Sequence, residues 1–217
     1  MVAKQSIRKV HSGGLTTISE YHCHPFTKQY FPWGFLVYRC TYRDDNAWQH
    51  MVQHIQDHVQ STLECEQRSD LIPFHQPIFL NDRSKFNGAT SHDVRDHFNI
   101  WTNAQTAQIS MRGWWLKNAA RYNFCLFVDE ICLESLVHME GDPVVKVLSR
   151  GSMYLPPEER DYQVHPNWED GVTDEPDEYV GWTYARANEY VDWYDNLCED
   201  WVWPDVYNRP PILFFPG

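Results

Sequence analysis

One stretch, residues 121–134 (RYNFCLFVDEICLE), constrains the fold of this chain more than any other. Residues 124–128 are apolar without a break, which is the pattern of a strand that is buried on both faces of a sheet. Two carboxylates, Asp129 and Glu130, follow at once, and Glu134 comes one helical turn later. The stretch therefore predicts a central strand that ends on a cluster of acids.

Predicted strands and helices alternate on either side of this stretch. The expected elements are strands over 33–40, 122–128, 144–148 and 180–185, a short or edge strand within 71–80, and helices over about 46–66, 91–106, 130–139 and 186–200. Two prolines limit residues 71–80 to an edge position, and Thr90 with Asp93 has capping-box spacing. This alternation predicts a single α/β or α+β domain with a small mixed sheet flanked by helices.

The length of 217 residues suits one domain. We expect a polar N-terminal arm over residues 1–30 and a single globular domain over 31–217. Residues 149–178 contain four prolines and nine acids against two arginines, so we expect an acidic loop or insert there.

Composition narrows the classes of partner. The net charge of −12 opposes tight, non-specific binding to nucleic acid and favours cationic ligands. No apolar stretch follows the basic residues near the N-terminus, and no apolar run is long enough to span a membrane. The six cysteines are scattered, which is typical of reduced thiols. We therefore expect a cytoplasmic protein without a membrane partner.

A second group of charged residues follows the strand predicted over 33–40. Arg39, Tyr42, Asp44 and Asp45 are candidate substrate-binding residues, because ligands collect beyond the carboxyl ends of strands in α/β sheets. If the two strands are parallel, this group and the acids after residue 128 share one edge of the sheet. The alternative is that Asp44 or Asp45 only caps the following helix.

The acids after the central strand are the candidate catalytic residues: Asp129, Glu130 and Glu134. Neighbouring carboxylates can separate their pKa values, so that one accepts a proton and another donates one. The alternative is that Asp129 caps a helix whose first turn favours acids.

Rings and acids also mix in the C-terminal part of the chain. Aromatic faces and carboxylates together suit a guanidinium group, which makes Trp193 and Asp200 candidate substrate-binding residues, with Trp101 from the helix predicted over 91–106. The alternative is a helix with one face in the core and one in solvent.

Metal and cofactor motifs are not evident. His50, His54 and His58 recur every four residues but oppose the apolar stripe of their helix, which predicts a solvated face. The sequence has no glycine-rich phosphate loop, G-x-S-x-G or H-E-x-x-H motif. We expect neither a metal nor a cofactor.

Four segments carry a resemblance to known proteins: WGFLVYRCTYRDDNAW (33–48), FNGATSHDVRDHFNIW (86–101), RYNFCLFVDEICLESL (121–136) and the W…YNRPP ending (203–211). They resemble a large family of small, mostly uncharacterised fungal proteins. That family looks similar to the arginine-containing cyclodipeptide synthases of fungal secondary metabolism. The resemblance covers residues 31–148 and the C-terminus, but neither 1–30 nor 149–178.

The resemblance implies an enzyme that condenses arginyl-tRNA with a second aminoacyl-tRNA into a diketopiperazine, without ATP, metal or another cofactor. Such an aminoacyltransferase binds its aminoacyl-tRNA partners transiently and releases a small-molecule product. The family is associated with a D-D-x-x-E signature, from which this chain departs. Asp129-Glu130 followed by Glu134 is the closest cluster, and Asp44-Asp45 lacks the glutamate.

Two other functions remain open from the sequence. One is a non-catalytic acidic and aromatic module that binds a cationic peptide or partner. The other is a small-molecule cyclase or isomerase of a biosynthetic pathway, since pockets lined by rings suit such ligands.

Overall fold

The computed structural model describes residues 15–24, 31–109, 111–151 and 179–210. Its five strands are β1 (Leu36–Arg39), β2 (Ile78–Leu80), β3 (Phe124–Val128), β4 (Val144–Ser149) and β5 (Trp182–Arg186). They form one sheet in the order β2-β1-β3-β4-β5. β1 pairs parallel with β2 and β3, whereas β3–β4 and β4–β5 are antiparallel. The predicted mixed sheet within a single α/β or α+β domain is confirmed.

Eight α-helices lie among the described residues: α1 (Thr16–His22), α2 (Asp45–Cys65), α3 (Arg83–Phe86), α4 (Ser91–Ala107), α5 (Ala120–Asn123), α6 (Glu130–His138), α7 (Tyr190–Asn196) and α8 (Trp203–Val206). The helices predicted over 46–66, 91–106 and 130–139 match α2, α4 and α6 within a residue at each end. The capping box of Thr90 and Asp93 is present at the start of α4.

The helix predicted over 186–200 is wrong in extent. Its first part is a 3-10 turn over 187–189, and α7 ends at Asn196. The Asn196 side chain donates a hydrogen bond to the Asp192 carbonyl at 2.8 Å, so it competes for the backbone groups of the last turn.

Side chains along each strand alternate between two covered faces of the sheet. Val37, Leu126 and Val147 belong to a core that also contains residues of α1, α2, α6 and α7. Their neighbours Tyr38 and Phe127 pack on the other face, in a core that includes residues of α3 and α4. All five residues of β3 are therefore buried, as the unbroken apolar run predicts.

The register of the strands brings both predicted acid groups to one edge of the sheet. Arg39 at the end of β1 lies opposite Val128 at the end of β3. Residues 40–45 and 129–130 therefore follow these parallel strands side by side, and we call this region the carboxyl edge. The opposite region, where β1, β2 and β3 begin, is the amino edge.

The N-terminal segment departs from the prediction. The polar arm expected over 1–30 does not extend through residues 15–24, because α1 packs into the core with Ile18 fully buried. The Ile18 backbone amide donates to Asp195 Oδ1 of α7 at 2.8 Å. Leu15, Ile18 and His22 recur at helical spacing, but the apolar signal is too short to stand out. The rest of the arm, and residues 152–178 of the expected acidic insert, lie outside the described residues.

We expect Gly34→Ala to destabilise the protein more than Gly88→Ala does. Gly34 has a φ of +114°, and an added Cβ would lie 3.1 Å from the Pro77 nitrogen and 3.2 Å from the Tyr190 hydroxyl. Gly88 also has a positive φ, but nothing lies within 4 Å of its Cβ position. Urea unfolding should show losses of roughly 3 and roughly 1 kcal/mol, respectively. Equal losses would contradict close packing around Gly34.

Candidate functional site

Asp129 and Lys146 form an ion pair at the carboxyl edge. The Lys146 ammonium lies 2.7 Å from Asp129 Oδ2, and its side chain is only 2% exposed. Asp129 Oδ1 accepts a hydrogen bond from the Cys132 amide at 3.2 Å and so caps α6. Asp129 therefore caps α6, as the alternative interpretation of the sequence predicted. It also forms an ion pair with the buried Lys146.

Aromatic rings surround the Lys146 ammonium. Lys146 lies opposite Phe127 of β3 and Tyr184 of β5, so the three side chains form one row across the sheet. The ammonium nitrogen is 4.3 Å from the Trp182 ring centre, 5.3 Å from that of Tyr184 and 5.5 Å from that of Phe127. Cation–π attraction to these faces offsets part of the cost of burying the charge.

Lys146 was missed in the sequence analysis. It lies within the mostly apolar segment VVKVLS. The apolar residues of this segment predict a buried strand, and the single lysine does not change that prediction. A lysine inside a buried strand is itself a signal, because this residue type is almost never fully buried unless it is paired.

Glu130 connects α6 to the segment that follows β1. The Thr41 hydroxyl donates to Glu130 Oε2 at 2.8 Å, and Arg43 Nε lies 3.6 Å from the same oxygen. The ion pair contributes little because Arg43 is 80% exposed. Both contacts fall on Oε2, so Oε1 accepts from no residue that the structure describes. Glu130 is 38% exposed and can meet a ligand from solvent.

Arg39 binds the chain's own groups at the same edge. Its guanidinium pairs with Asp45 and donates to the Thr41 carbonyl at 2.9 Å. It also lies over the rings of Tyr42, at 4.3 Å, and Trp48, at 5.5 Å. The predicted charged residues therefore do cluster around Arg39. Within this cluster Arg39 and Asp45 pair with each other, so both charges are already compensated within the chain.

Tyr42 and Asp44 complete this cluster in different ways. Asp44 accepts a hydrogen bond from the Ala47 amide at 2.9 Å and caps α2, as the alternative reading expected. The Tyr42 hydroxyl is enclosed and has no hydrogen-bond partner among the described residues. Burial raises the pKa of Tyr42, although the Arg39 cation opposes that rise. Tyr42 is thus a neutral phenol.

The structure does not bring Trp101 and Trp193 to the carboxyl edge. Trp101 stacks on Tyr122, with ring centres 6.0 Å apart, just before β3 begins at the amino edge. Trp193 is buried in the core on the face of the sheet opposite Lys146. Both rings lie on helical stripes that pack inward. The rings near the carboxyl edge, those of Phe127, Trp182 and Tyr184, are buried and surround the chain's own Lys146.

Two predicted acids remain. Glu134 is exposed on α6, one turn after Glu130, so the two carboxylates lie on one side of the helix. Asp200 begins a 3-10 turn over 200–202, and its side chain lies outside the described residues.

A second polar cluster, which the sequence analysis also missed, lies at the amino edge. We call it the amino-edge cluster; it consists of His22, His75, Arg121, Tyr190 and Tyr194. The Tyr194 hydroxyl lies 2.8 Å from His22 Nε2, and the Tyr190 hydroxyl lies 3.3 Å from His75 Nε2. Arg121 donates through Nη1 to the carbonyls of Gly34 and Gln76, at 3.1 and 2.9 Å.

Burial keeps both histidines of this cluster neutral. Burial first, and the nearby Arg121 cation second, lower the pKa of His22 from 6.5 to about 3 and that of His75 to about 4. Burial also raises the pKa of Tyr190 and Tyr194. At neutral pH, therefore, Arg121 is the charged member of the cluster.

No protein-family model, curated protein or solved structure matches this chain. Among the described helices, none combines the length and apolar character needed to cross a membrane. Within the same part of the chain, no three His, Cys, Asp or Glu side chains come close enough together to hold a metal ion.

We expect Lys146→Met to cost about 3 kcal/mol of unfolding free energy, because it leaves the Asp129 charge without its buried partner. Adding Asp129→Asn to this variant should recover about 1 kcal/mol or more, since the uncompensated charge is removed. Urea unfolding of the four proteins in the cycle checks the coupling. The exposed Lys117→Met is the matched control and should be neutral. Simple additivity of the two substitutions would show that the pair is not coupled.

Acid should destabilise the protein through His22. Its pKa is lower in the folded state than its ordinary 6.5, so the unfolded chain binds the proton more readily. The stabilisation is complete above pH 6.5 and is lost as the pH falls toward about 3. We expect His22→Gln to reduce the slope of unfolding free energy against pH by about 1.4 kcal/mol per pH unit between these limits. A slope equal to that of the native protein would refute the burial of a neutral His22.

Proposed function

We propose that this protein is a cytoplasmic aminoacyltransferase that makes an arginine-containing cyclodipeptide from two aminoacyl-tRNAs, with its reaction centre at the carboxyl edge. The observation that carries the proposal is the pair Asp129 and Glu130, two adjacent carboxylates in different environments where the central strand ends. The surrounding segment resembles a family of small fungal proteins that looks similar to cyclodipeptide synthases, and this resemblance supports the same reaction.

The proposed reaction needs positioning and proton transfer, but no external energy source. The α-amine of one aminoacyl group attacks the ester carbonyl of the other, a C–N bond forms, and the C–O bond to the ribose breaks. The attacking amine loses a proton, and the leaving ribose oxygen gains one. A second attack of the same kind closes the ring and releases the other tRNA. Holding two such esters together supplies much of the rate enhancement.

The two carboxylates suit different parts of this reaction. Asp129 is committed to Lys146 and to the cap of α6, so it fixes the start of the helix. Glu130 is partly exposed and is held at one oxygen by Thr41, which leaves Oε1 to accept the proton of the attacking amine. We therefore assign Glu130 as the base and Asp129 as the residue that positions it.

Recognition of arginine requires acids that the chain has not already paired. Asp45 is occupied by Arg39, so we assign the substrate guanidinium to Glu134, one turn from Glu130 on the exposed side of α6. A carboxylate can accept two parallel hydrogen bonds from a guanidinium. The distance of one turn places the bound side chain beside the proposed base.

Because the chain is acidic, its complexes with the tRNA partners must be short-lived. A net charge of −12 disfavours a stable complex with phosphates. Turnover requires release of both tRNAs, so weak binding does not prevent catalysis.

Glu130→Gln should abolish the product while the protein remains folded. Expression of the native chain in a bacterial host, followed by mass spectrometry of the medium, should detect cyclo-arginyl dipeptides. Glu130→Gln keeps the shape of the side chain but removes the base, so we expect a loss of at least about a hundredfold. The exposed Glu66→Gln is the matched control and should leave the titre unchanged.

The same experiment distinguishes the proposed synthase from the main alternative, a module that only binds a cationic peptide. If the exposed acids of α6 only bind a cationic peptide, the native chain will yield no product, and calorimetry will detect stoichiometric binding of an arginine-rich peptide. An undiminished titre in Glu130→Gln would reject the assigned base.

A further inference from the structure

The Arg121 guanidinium has no carboxylate partner among the described residues, although the residue is only 8% exposed. Of the three other buried cations in this described part of the chain, Lys146 and Arg39 each pair with an aspartate, and Arg95 donates to the carbonyls of Ser149 and Val180. Burying a charge costs several kcal/mol unless an opposite charge compensates it. Arg121 is therefore a buried cation whose counter-charge the described chain does not supply.

The hydrogen bonds of Arg121 leave one edge of its guanidinium for a ligand. Both carbonyl contacts, to Gly34 and Gln76, are made by Nη1. Nε and Nη2, which lie side by side on the planar group, donate to no described residue. Two parallel N–H groups at this spacing match the two oxygens of a carboxylate.

The groups around Arg121 are polar but carry no competing charge. His22 and His75 are neutral imidazoles, and Tyr190 and Tyr194 are neutral phenols. His75 is only partly buried and adjoins Tyr190, so it borders the cluster on its more open side. An anion entering here would meet one cation and several polar but uncharged neighbours.

We propose that Arg121 binds the carboxylate of a small organic acid at the amino edge, as a site separate from the carboxyl edge. A single fork with one positive charge suits a monocarboxylate better than a phosphate dianion, which would require more donors and more charge. Because Arg121 is nearly buried, only the carboxylate end of the ligand reaches it, and the remainder lies toward His75. This site does not depend on the proposed synthase activity.

The alternative role for Arg121 is purely structural. Its Nη1 ties the segment before β1 to the segment before β2 through the two carbonyls. A structural clamp would explain burial and the carbonyl contacts, but it predicts no specific response to an added anion. The two roles are therefore separated by anion titration.

The test is titration of the 217-residue chain with sodium acetate, sodium chloride and inorganic phosphate at matched ionic strength and pH 7. Thermal unfolding and the ¹H–¹⁵N resonances of the arginine Nε groups are the two readouts. Acetate should raise the melting temperature saturably and shift one Nε resonance, whereas chloride should do neither. Arg121→Gln should abolish both responses, and Arg121→Lys, which keeps the charge but lacks the fork, should raise the Kd for acetate at least about tenfold.

The control is Arg68→Gln, which removes an arginine already paired with Asp70 and should leave acetate binding unchanged. Equal responses to acetate and chloride, or an unchanged acetate response in Arg121→Gln, would overturn the site. Phosphate binding more tightly than acetate would overturn the assignment to carboxylates. If Arg121→Gln does not fold, the resonance of the native protein decides, and its failure to shift with acetate refutes the proposal.

Discussion

The ion pair between Lys146 and Asp129 organises the carboxyl edge of this protein. The antiparallel register of β3 and β4 puts Lys146 opposite Phe127, and its ammonium then reaches Asp129 just beyond the strand. The same aspartate caps α6, so the pair fixes where that helix begins. Glu130, the first residue of α6, is thereby held against Thr41, which follows the parallel strand β1. One interaction thus couples three strands and a helix around two carboxylates.

The two edges of the sheet handle charge in opposite ways. At the carboxyl edge, the buried cations Lys146 and Arg39 each meet an aspartate, and Glu130 and Glu134 of α6 face solvent in part or in full. At the amino edge, burial keeps the histidines neutral, so Arg121 is the charged member of the cluster. A cationic substrate group is therefore suited to the first edge, and an anionic ligand to the second. The two proposals therefore assign ligands of opposite sign to opposite edges of the sheet.

Much of the fold could be predicted from the sequence, because the spacing of apolar residues along a segment indicates which side chains are buried. The apolar run of β3, the stripe of α2 and the capping box of α4 each depend on neighbouring residues, and each was predicted. The C-terminal end of α7 was predicted incorrectly, because the Asn196 side chain competes for the backbone hydrogen-bonding groups of its last turn. At the site, Glu130 meets Thr41 and Arg43 because β1 and β3 are parallel, an orientation that the sequence left open. Lys146 and Arg121 were missed because their roles arise from contacts between segments distant in sequence. Trp101 and Trp193 were misplaced because a ring on a helical stripe packs inward more readily than it lines a site.

The pairing of the Lys146 ammonium with Asp129 can be tested directly by NMR. In protein labelled with ¹⁵N-lysine, a ¹H–¹⁵N spectrum of the side-chain nitrogens at neutral pH should contain one ammonium resonance with slow proton exchange. Its proton shift should be displaced by the ring of Trp182, and it should be absent from Lys146→Met. If all lysine ammonium groups exchange rapidly with water at ordinary shifts, Lys146 is not enclosed and paired with Asp129. The carboxyl edge would then lack the interaction that fixes Glu130.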